Sequence, residues 1–198
     1  MKLDDINNYF GDMDLFLMDW ILKGLLPESG TVLDVGCGDG RNGLYFIKNG
    51  YKYVGLDHDS AQIQLIRYLS QSFQGVDCEF LDSDIRTFVS PEKFDIIVCS
   101  RMLHFASDDL DFQLIWSRFV ECLSPGGIIY LSMDSAIDST LTKKIDENNH
   151  EFPDGKLRFV LTEERLKFIK KGFEEIEPLK TVVHHKQRAQ SFLLLRKC

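Results

Sequence analysis

Short apolar runs alternate with amphipathic stretches along the last four-fifths of the chain, and this alternation limits the fold more than any other feature. The apolar runs predict strands at Thr31–Val35, Tyr51–Leu56, Cys78–Leu81, Phe94–Cys99 and Ile128–Met133. The stretches between them predict helices at Asn42–Lys48, Ser60–Phe73 and Asp108–Leu123, the last with Ser107 as its cap. Repeated β-α-β units with right-handed crossovers form a parallel sheet that is covered by helices on both faces.

Two segments lie outside this alternation. Before the first strand, an amphipathic helix is predicted from the spacing of Leu15, Met18, Leu22 and Leu25. After the fifth strand, the segment Asp134–Lys156 is polar and ambiguous, and a helix around Leu141–Asn148 is one interpretation of it. The remaining pattern predicts a short strand, a helix capped by Thr162 and two closing strands, at Leu157–Leu161, Thr162–Lys171, Phe173–Val183 and Gln190–Leu195. We therefore expect one α/β domain over residues 1–198, with a doubly wound sheet.

Charge and composition exclude several classes of partner. The chain has 23 basic and 31 acidic side chains, for a net charge of −8 without a local basic cluster, so a nucleic-acid partner is not expected. No apolar run approaches the ~20 residues of a membrane span. The N-terminus lacks the apolar region of a signal peptide, so we expect a cytoplasmic protein without a membrane partner. His184-His185 has no third ligand at a useful spacing, and no metal site is expected.

The sharpest motif is the turn after the first strand, where glycines stand at positions 36, 38 and 40 and a helix follows. Glycine in such a turn allows positive φ and lets a ligand touch the backbone. The helix N-terminus suits a carboxylate or a phosphate. A dinucleotide fingerprint, G-x-G-x-x-G, requires glycine at position 41, which is Arg41. This departure, and the lack of a separate substrate domain, argue against an NAD-dependent oxidoreductase.

Polar residues at the ends of later strands extend the expected site. Asp57, at the end of the second strand, can accept hydrogen bonds from both hydroxyls of a ribose. Its alternative role is to cap the next helix, although Asp59 or Ser60 already serves that purpose. Ser100 ends the fourth strand, and ligands of open α/β sheets collect outside the carboxyl ends of the strands.

These motifs together resemble those of the class I S-adenosylmethionine-dependent methyltransferases. The sequence VLDVGCGDG at 32–40 is similar to the first motif of that family, and residues 80–85, 94–105 and 123–127 resemble its later motifs. Over residues from about 9 to 198, the chain is similar to small stand-alone bacterial methyltransferases of the tellurite-resistance and ubiquinone-biosynthesis types. One departure is Ser100-Arg101-Met102-Leu103, which stands where amino-methyltransferases of DNA and protein glutamine carry [D/N]-P-P-[Y/F/W]. Methylation of an exocyclic amine is therefore not expected.

The resemblance implies S-adenosylmethionine as the cofactor and a Rossmann-like, seven-stranded, mostly parallel sheet with a C-terminal antiparallel hairpin. It divides the domain into an N-terminal helical lid or cap (1–29), a cofactor-binding core (30–133) and a substrate-side insert with the hairpin (134–198). Asp84 would receive the adenine amino group, with Asp82 as the alternative, and the backbone N–H of Ile85 would meet a ring nitrogen. The full set of expected cofactor contacts is Asp34, Gly36, Cys37, Gly38, Asp57, His58, Asp84, Ile85 and Ser100.

The acceptor side is less defined, and a small molecule bound by a monomer or homodimer is expected. His104 is the candidate for substrate contact or proton removal, but a neutral histidine packed under Met102 and Phe105 is an equal alternative. Arg101 either anchors an anionic substrate or pairs with a surface carboxylate. Weaker candidates are His150 and Glu151, and Tyr9 and Phe10 are assigned to a lid over the crevice, beside a permanently docked helix. A non-catalytic module that binds S-adenosylmethionine is the alternative function.

Overall fold

The computed structural model describes residues 10–71, 75–137 and 141–198. Its helices are α1 (Leu15–Leu22), α2 (Gly43–Lys48), α3 (Ser60–Ser70), α4 (Asp109–Cys122) and α5 (Glu163–Ile169). Its strands are β1 (Thr31–Val35), β2 (Lys52–Asp57), β3 (Cys78–Asp82), β4 (Phe94–Ser100), β5 (Leu123–Asp134), β6 (Lys143–Lys144), β7 (Asn149–Glu151), β8 (Leu157–Phe159), β9 (Phe173–His184) and β10 (Arg188–Lys197). A short 3-10 turn covers Leu103–Phe105.

Seven strands form the main sheet, in the order β3-β2-β1-β4-β5-β10-β9. The pairs among β1 to β5 are parallel, while β10 is antiparallel to both β5 and β9. The prediction of a seven-stranded, mostly parallel sheet with a C-terminal antiparallel hairpin is therefore confirmed. In such a sheet, the strand order reverses between β1 and β4. Ligands bind at the carboxyl ends of the strands beside this reversal.

Alternating side chains of the central strands divide the core between the two faces of the sheet. Val32 of β1 packs with α1, α2 and α3 on one face, whereas Leu33 packs with α4 and α5 on the other. β4 repeats the pattern, because Ile96 lies on the first face and Ile97 on the second. All four side chains are fully buried, as expected for strands covered on both faces.

The predicted inner face of the first helix is wrong at two of its four positions, since Met18 and Leu25 are partly buried against the core as predicted. Leu15 and Leu22 are 64% and 68% exposed, and the helix buries Leu17 and Trp20 instead. The physical reason is the helix cap, Asp14, because its carboxylate accepts hydrogen bonds from the sheet. Leu17 and Trp20 follow Asp14 at intervals of three residues, so they lie on the side of the helix that faces the sheet. The Trp20 indole also donates to Glu177 Oε2 at 2.7 Å, which satisfies its N–H.

The polar segment after the fifth strand does not contain the helix suggested around Leu141–Asn148. β6, β7 and β8 form a separate three-stranded antiparallel sheet there. The side chain of Asp146 accepts the backbone N–H groups of Asn148 and Asn149 at 2.8 and 2.7 Å, which favours a tight turn over a helix.

The cap of α4 also differs from the prediction. Asp108, not Ser107, caps α4, because its carboxylate accepts the Asp111 N–H at 2.9 Å. The outer face of α4 carries Leu110, which is 78% exposed, and the inner face is formed by Phe112, Ile115, Trp116, Phe119 and Cys122. The predicted end of the second helix, at Phe73, lies outside the described residues.

The orientation of α1 can be tested with two leucines that differ in burial. Leu17→Ala removes a fully buried side chain and should lower the free energy of unfolding by about 2–5 kcal/mol. Leu15→Ala, two residues away on the exposed side, should change it by less than about 0.5 kcal/mol. Urea unfolding of both variants measures the difference, and a larger effect of Leu15→Ala would mean that the helix docks by its other face.

Candidate functional site: the glycine turn and the crevice beside it

The glycine turn is joined to the end of β2. Gly36 and Cys37 donate their N–H groups to the carbonyl of Leu56, at 2.8 and 3.1 Å, and Gly38 donates to Asp57 Oδ2 at 2.8 Å. Gly38 has a φ of +51°, and a Cβ built on it would meet no atom within 4 Å. The turn therefore offers open backbone to a ligand, as the sequence predicts.

Asp57 lies at the end of β2 with its side chain only 12% exposed. Besides the Gly38 N–H, its carboxylate accepts the Asp59 N–H at 2.9 Å. Asp59, not Asp57, caps α3 through the N–H groups of Ala61 and Gln62. Asp57 thus has no capping role, and it borders a cavity of about 410 Å³ together with the exposed His58.

A narrow pocket of about 30 Å³ separates the ends of β1 and β2 from the loop after β3. The residues that line it include Asp84 and Ile85, the expected adenine contacts, but not Asp82. Asp82 instead accepts the Ser60 hydroxyl at 2.5 Å. Asp84 is held by Arg86, whose guanidinium also forms a paired contact with Asp111 of α4, at 2.6 and 2.7 Å. The geometry favours Asp84 over the alternative.

Asp34, an expected cofactor contact, lies beneath the turn and is 1% exposed. Its Oδ2 accepts the Tyr53 hydroxyl at 2.8 Å, and its Oδ1 has no hydrogen-bond partner in the described part of the chain. Burial raises the pKa of Asp34 to about 7. Cys37 is also buried, and burial raises the pKa of its thiol, so that it stays protonated. Both side chains support the turn from within.

Ser100 belongs to a polar junction at the carboxyl ends of β4 and β5. Asp14 Oδ2 accepts the hydroxyls of Ser100 and Ser132 at 3.0 and 3.2 Å, and Arg41 Nη2 donates to Ser100 Oγ at 3.2 Å. The Asp14 N–H donates to Asn42 Oδ1 of the turn at 2.9 Å. Sequence reasoning missed Asp14: an aspartate before an apolar stretch indicates a helix cap, but not a contact 86 residues away.

His104 and Arg101 border a cavity of about 310 Å³ with the glycine turn, Ser100 and Arg188. His104 Nδ1 is buried without a hydrogen-bond partner among the described residues, and its ring lies 4.3 Å from that of Phe105. Burial lowers the pKa of His104 to about 4, so the imidazole is neutral near pH 7. The structure thus shows a packed, neutral histidine at the border of the cavity, and its contact with a substrate stays a prediction.

The remaining candidates lie farther from the turn. Phe10 stacks on Tyr45 of α2 with ring centroids 6.0 Å apart, and Tyr9 lies outside the described residues. His150 of β7 is buried and bonds to Thr142 Oγ1 at 3.2 Å, in a separate cavity beside α4 and α5. Within residues 10–71, 75–137 and 141–198, no three metal-ligating side chains converge. No helix among those residues is long and apolar enough to cross a membrane.

Fold and site define a Rossmann-like domain with an open glycine turn, and comparisons with known proteins agree. Residues 32–127 match the family described as "Methyltransferase domain". The ubiquinone biosynthesis O-methyltransferase of Pseudomonas entomophila is 28% identical over 123 residues, which cover 61% of this chain and 51% of that protein. The chain thus spans about half the length of such curated relatives.

Two solved structures show the same fold. TehB from Haemophilus influenzae superposes with a TM-score of 0.71 at 21% identity, covering 95% of this chain and 63% of that one. The 1,6-didemethyltoxoflavin-N1-methyltransferase from Burkholderia thailandensis, solved with 1,6-didemethyltoxoflavin and S-adenosylhomocysteine, has a TM-score of 0.72 at 18% identity, covering 98% and 85%. Residues 32–127 thus form a methyltransferase domain, and the chain has the fold of S-adenosylmethionine-dependent methyltransferases.

The choice between the two aspartates after β3 can be tested by affinity. Asp84→Ala removes the acceptor that lines the narrow pocket and should weaken S-adenosylhomocysteine binding roughly tenfold, as expected for one charge-assisted hydrogen bond. Asp82→Ala is the matched control and should leave the affinity unchanged. Isothermal titration calorimetry measures both, and a loss confined to Asp82→Ala would reverse the assignment.

The buried His104 should make the chain sensitive to acid. Its pKa of about 4 in the folded chain lies below the unfolded value of about 6.5. Between these pH values the unfolded chain binds a proton that the folded chain does not, so stability falls as pH falls from 6.5 towards 4. His104→Gln should show a smaller decrease of the urea midpoint between pH 7 and pH 5. His58→Gln, at an 82% exposed side chain, should retain the wild-type decrease.

Proposed function

We propose that the chain transfers the methyl group of S-adenosylmethionine to a small-molecule acceptor. The observation that carries the proposal is the cavity of about 310 Å³, which has the glycine turn on one side and His104 and Arg101 on the other. Its volume is at the lower end of ligand pockets, which hold roughly 300–1,000 Å³. A small molecule fits such a space beside a cofactor held by the turn.

The residues around the turn fit the cofactor. Gly38 leaves open backbone where a ligand would approach, and Asp57 keeps lone pairs for ribose hydroxyls beside the N–H groups that it accepts. Asp84 and Ile85 border the narrow pocket where adenine is expected, and this pocket of about 30 Å³ has to widen to admit the base. S-adenosylmethionine supplies an already activated methyl group, so the chain mainly has to hold and align the acceptor and exclude water.

His104 is the residue that we assign to the acceptor. A neutral imidazole can accept a proton or a hydrogen bond, and His104 borders the cavity. Because its Nδ1 is buried, Nε2 is the ring nitrogen that we assign to the acceptor. With its low pKa, His104 is a weak base. It therefore suits an acceptor whose nucleophilic group is acidic or already unprotonated, and an aliphatic alcohol would demand a stronger base.

The relatives support a small acceptor without identifying it. The similar curated proteins are named for O-methylation in ubiquinone biosynthesis, and the Burkholderia structure is named for N1-methylation of a toxoflavin precursor. Both names refer to small molecules. Because this chain spans about half of the first and is 18% identical to the second, the acceptor atom is not transferred from either.

The proposal is tested by release of S-adenosylhomocysteine. The chain is incubated with S-adenosylmethionine and a panel of phenols, thiols, carboxylates and ring nitrogens, and the product is followed by mass spectrometry. His104→Gln should lower kcat about 10²-fold or more with one acceptor while S-adenosylhomocysteine affinity stays unchanged, since general-base residues contribute that much. Tight cofactor binding without release in any reaction would favour a non-catalytic module. No cofactor binding would refute both functions.

A further inference from the structure

Positive charge is concentrated at the acceptor cavity of an acidic protein. Although the net charge of the chain is −8, Arg41, Arg101 and Arg188 all line the cavity of about 310 Å³. They come from three separate places, the glycine turn, the loop after β4 and the start of β10. Arginines converge in this way only if something offsets their mutual repulsion.

The carboxylates nearby do not offset all of this charge. Asp134, fully buried at the end of β5, is shared by Arg188, at 2.5 and 3.0 Å, and by Arg158 of β8, at 3.3 Å. Arg158 also pairs with Asp154, at 2.5 and 3.0 Å, so Asp134 mainly offsets Arg188. Arg41 hydrogen bonds to Ser100 but forms no ion pair with another described residue. Of the charged side chains that line the cavity, three are arginines and one, Asp39, is a carboxylate, so the wall keeps an excess of positive charge.

Arg101 is the least compensated member. Its guanidinium forms no hydrogen bond or ion pair within the described ranges, and burial together with Arg41 and Arg188 lowers its pKa. Its backbone has a φ of +56°, which is uncommon for a residue with a side chain, and its N–H is fixed by the Ser132 carbonyl at 2.8 Å. The fold thus holds an unpaired, partly buried arginine in a strained conformation beside two others, an arrangement typical of ligand sites.

We propose that Arg101 and Arg188 bind a carboxylate or phosphate group of the acceptor, so that the acceptor is an anion. This inference rests on the proposed methyl transfer. Guanidinium groups bind such oxyanions through paired, charge-assisted hydrogen bonds. Two large cavities meet at the turn, one of about 310 Å³ that is lined by His104 and one of about 410 Å³ that is lined by Asp57. Arg188 borders only the cavity with His104, so it lies on the acceptor side.

The experiment uses protein saturated with S-adenosylhomocysteine, because the carboxylate of the cofactor is then already in place. Calorimetry measures binding of benzoate, phenyl phosphate and the neutral isostere benzamide. We expect one of the two anions to bind at least 10-fold more tightly than benzamide, and the preferred anion distinguishes a carboxylate site from a phosphate site. Arg101→Gln should weaken that anion about 10-fold, and it should fold normally because its guanidinium has no partner in the described structure.

Further variants separate this proposal from its alternatives. Arg188→Lys keeps a charge beside Asp134 and should also weaken the anion, whereas Arg196→Gln, an exposed position on the same strand, should not. Equal affinities for benzoate, phenyl phosphate and benzamide would overturn the proposal. It would also be overturned if Arg101→Gln weakened S-adenosylhomocysteine itself and the saturated wild type bound no anion, because Arg101 would then serve the cofactor. Failure of the wild type to bind S-adenosylhomocysteine would instead refute the proposed function.

Discussion

The central place of β1 in the sheet determines where this protein can bind a ligand. β1 pairs with β2 on one side and β4 on the other, and the chain leaves β1 towards the face of α2 but leaves β4 towards the face of α4. The two connections therefore diverge, and a crevice opens between them. Gly36, the first residue after β1, borders all three pockets at this crevice, and a Cβ there would lie 2.8 Å from Met102 across it.

Support for the turn comes from a buried polar pair below it. Tyr53 reaches Asp34 only because position 43 is glycine, where a Cβ would lie 2.5 Å from the Tyr53 ring. The raised pKa of Asp34 has the opposite effect on stability to the lowered pKa of His104. The folded chain binds a proton at Asp34 that the unfolded chain releases above about pH 4, so this group costs stability as pH rises towards 7. Burying Asp34 therefore lowers the free energy of unfolding near pH 7, and this loss accompanies the support that Asp34 and Tyr53 give to the turn.

The fold was largely predictable because its signals are local. Buried parallel strands such as Phe94–Ser100 are continuous apolar runs, and glycine turns and helix caps act over a few residues. The face of α1 was not predictable, because it depends on Asp14 meeting Ser100 and Ser132, which are distant in sequence. β8 lies within the predicted strand Leu157–Leu161, but β6 and β7 were not predicted, because strands of two or three residues are too short to show a period.

The site was predictable to a similar extent. Positions that follow a strand end, such as Asp57 and Asp84, could be found because parallel strands bring their carboxyl ends to one edge. Arg188 could not be found, because it starts an antiparallel strand and reaches the crevice only through the return of the C-terminal hairpin. An arginine before a strand carries no local signal of a ligand.

For an acidic protein with a basic crevice, we expect ligands to be selected by size as well as by charge. At physiological ionic strength, exposed charges act over about 8 Å, so the excess of acidic groups elsewhere is screened from a small anion inside the crevice. There the charges that line the cavity are those of Arg41, Arg101 and Arg188 and the single carboxylate of Asp39. A polyanion such as a nucleic acid extends along the surface well beyond that distance and meets the acidic groups directly. We therefore expect the net charge of −8 to disfavour a nucleic acid and to leave the proposed anionic acceptor unaffected.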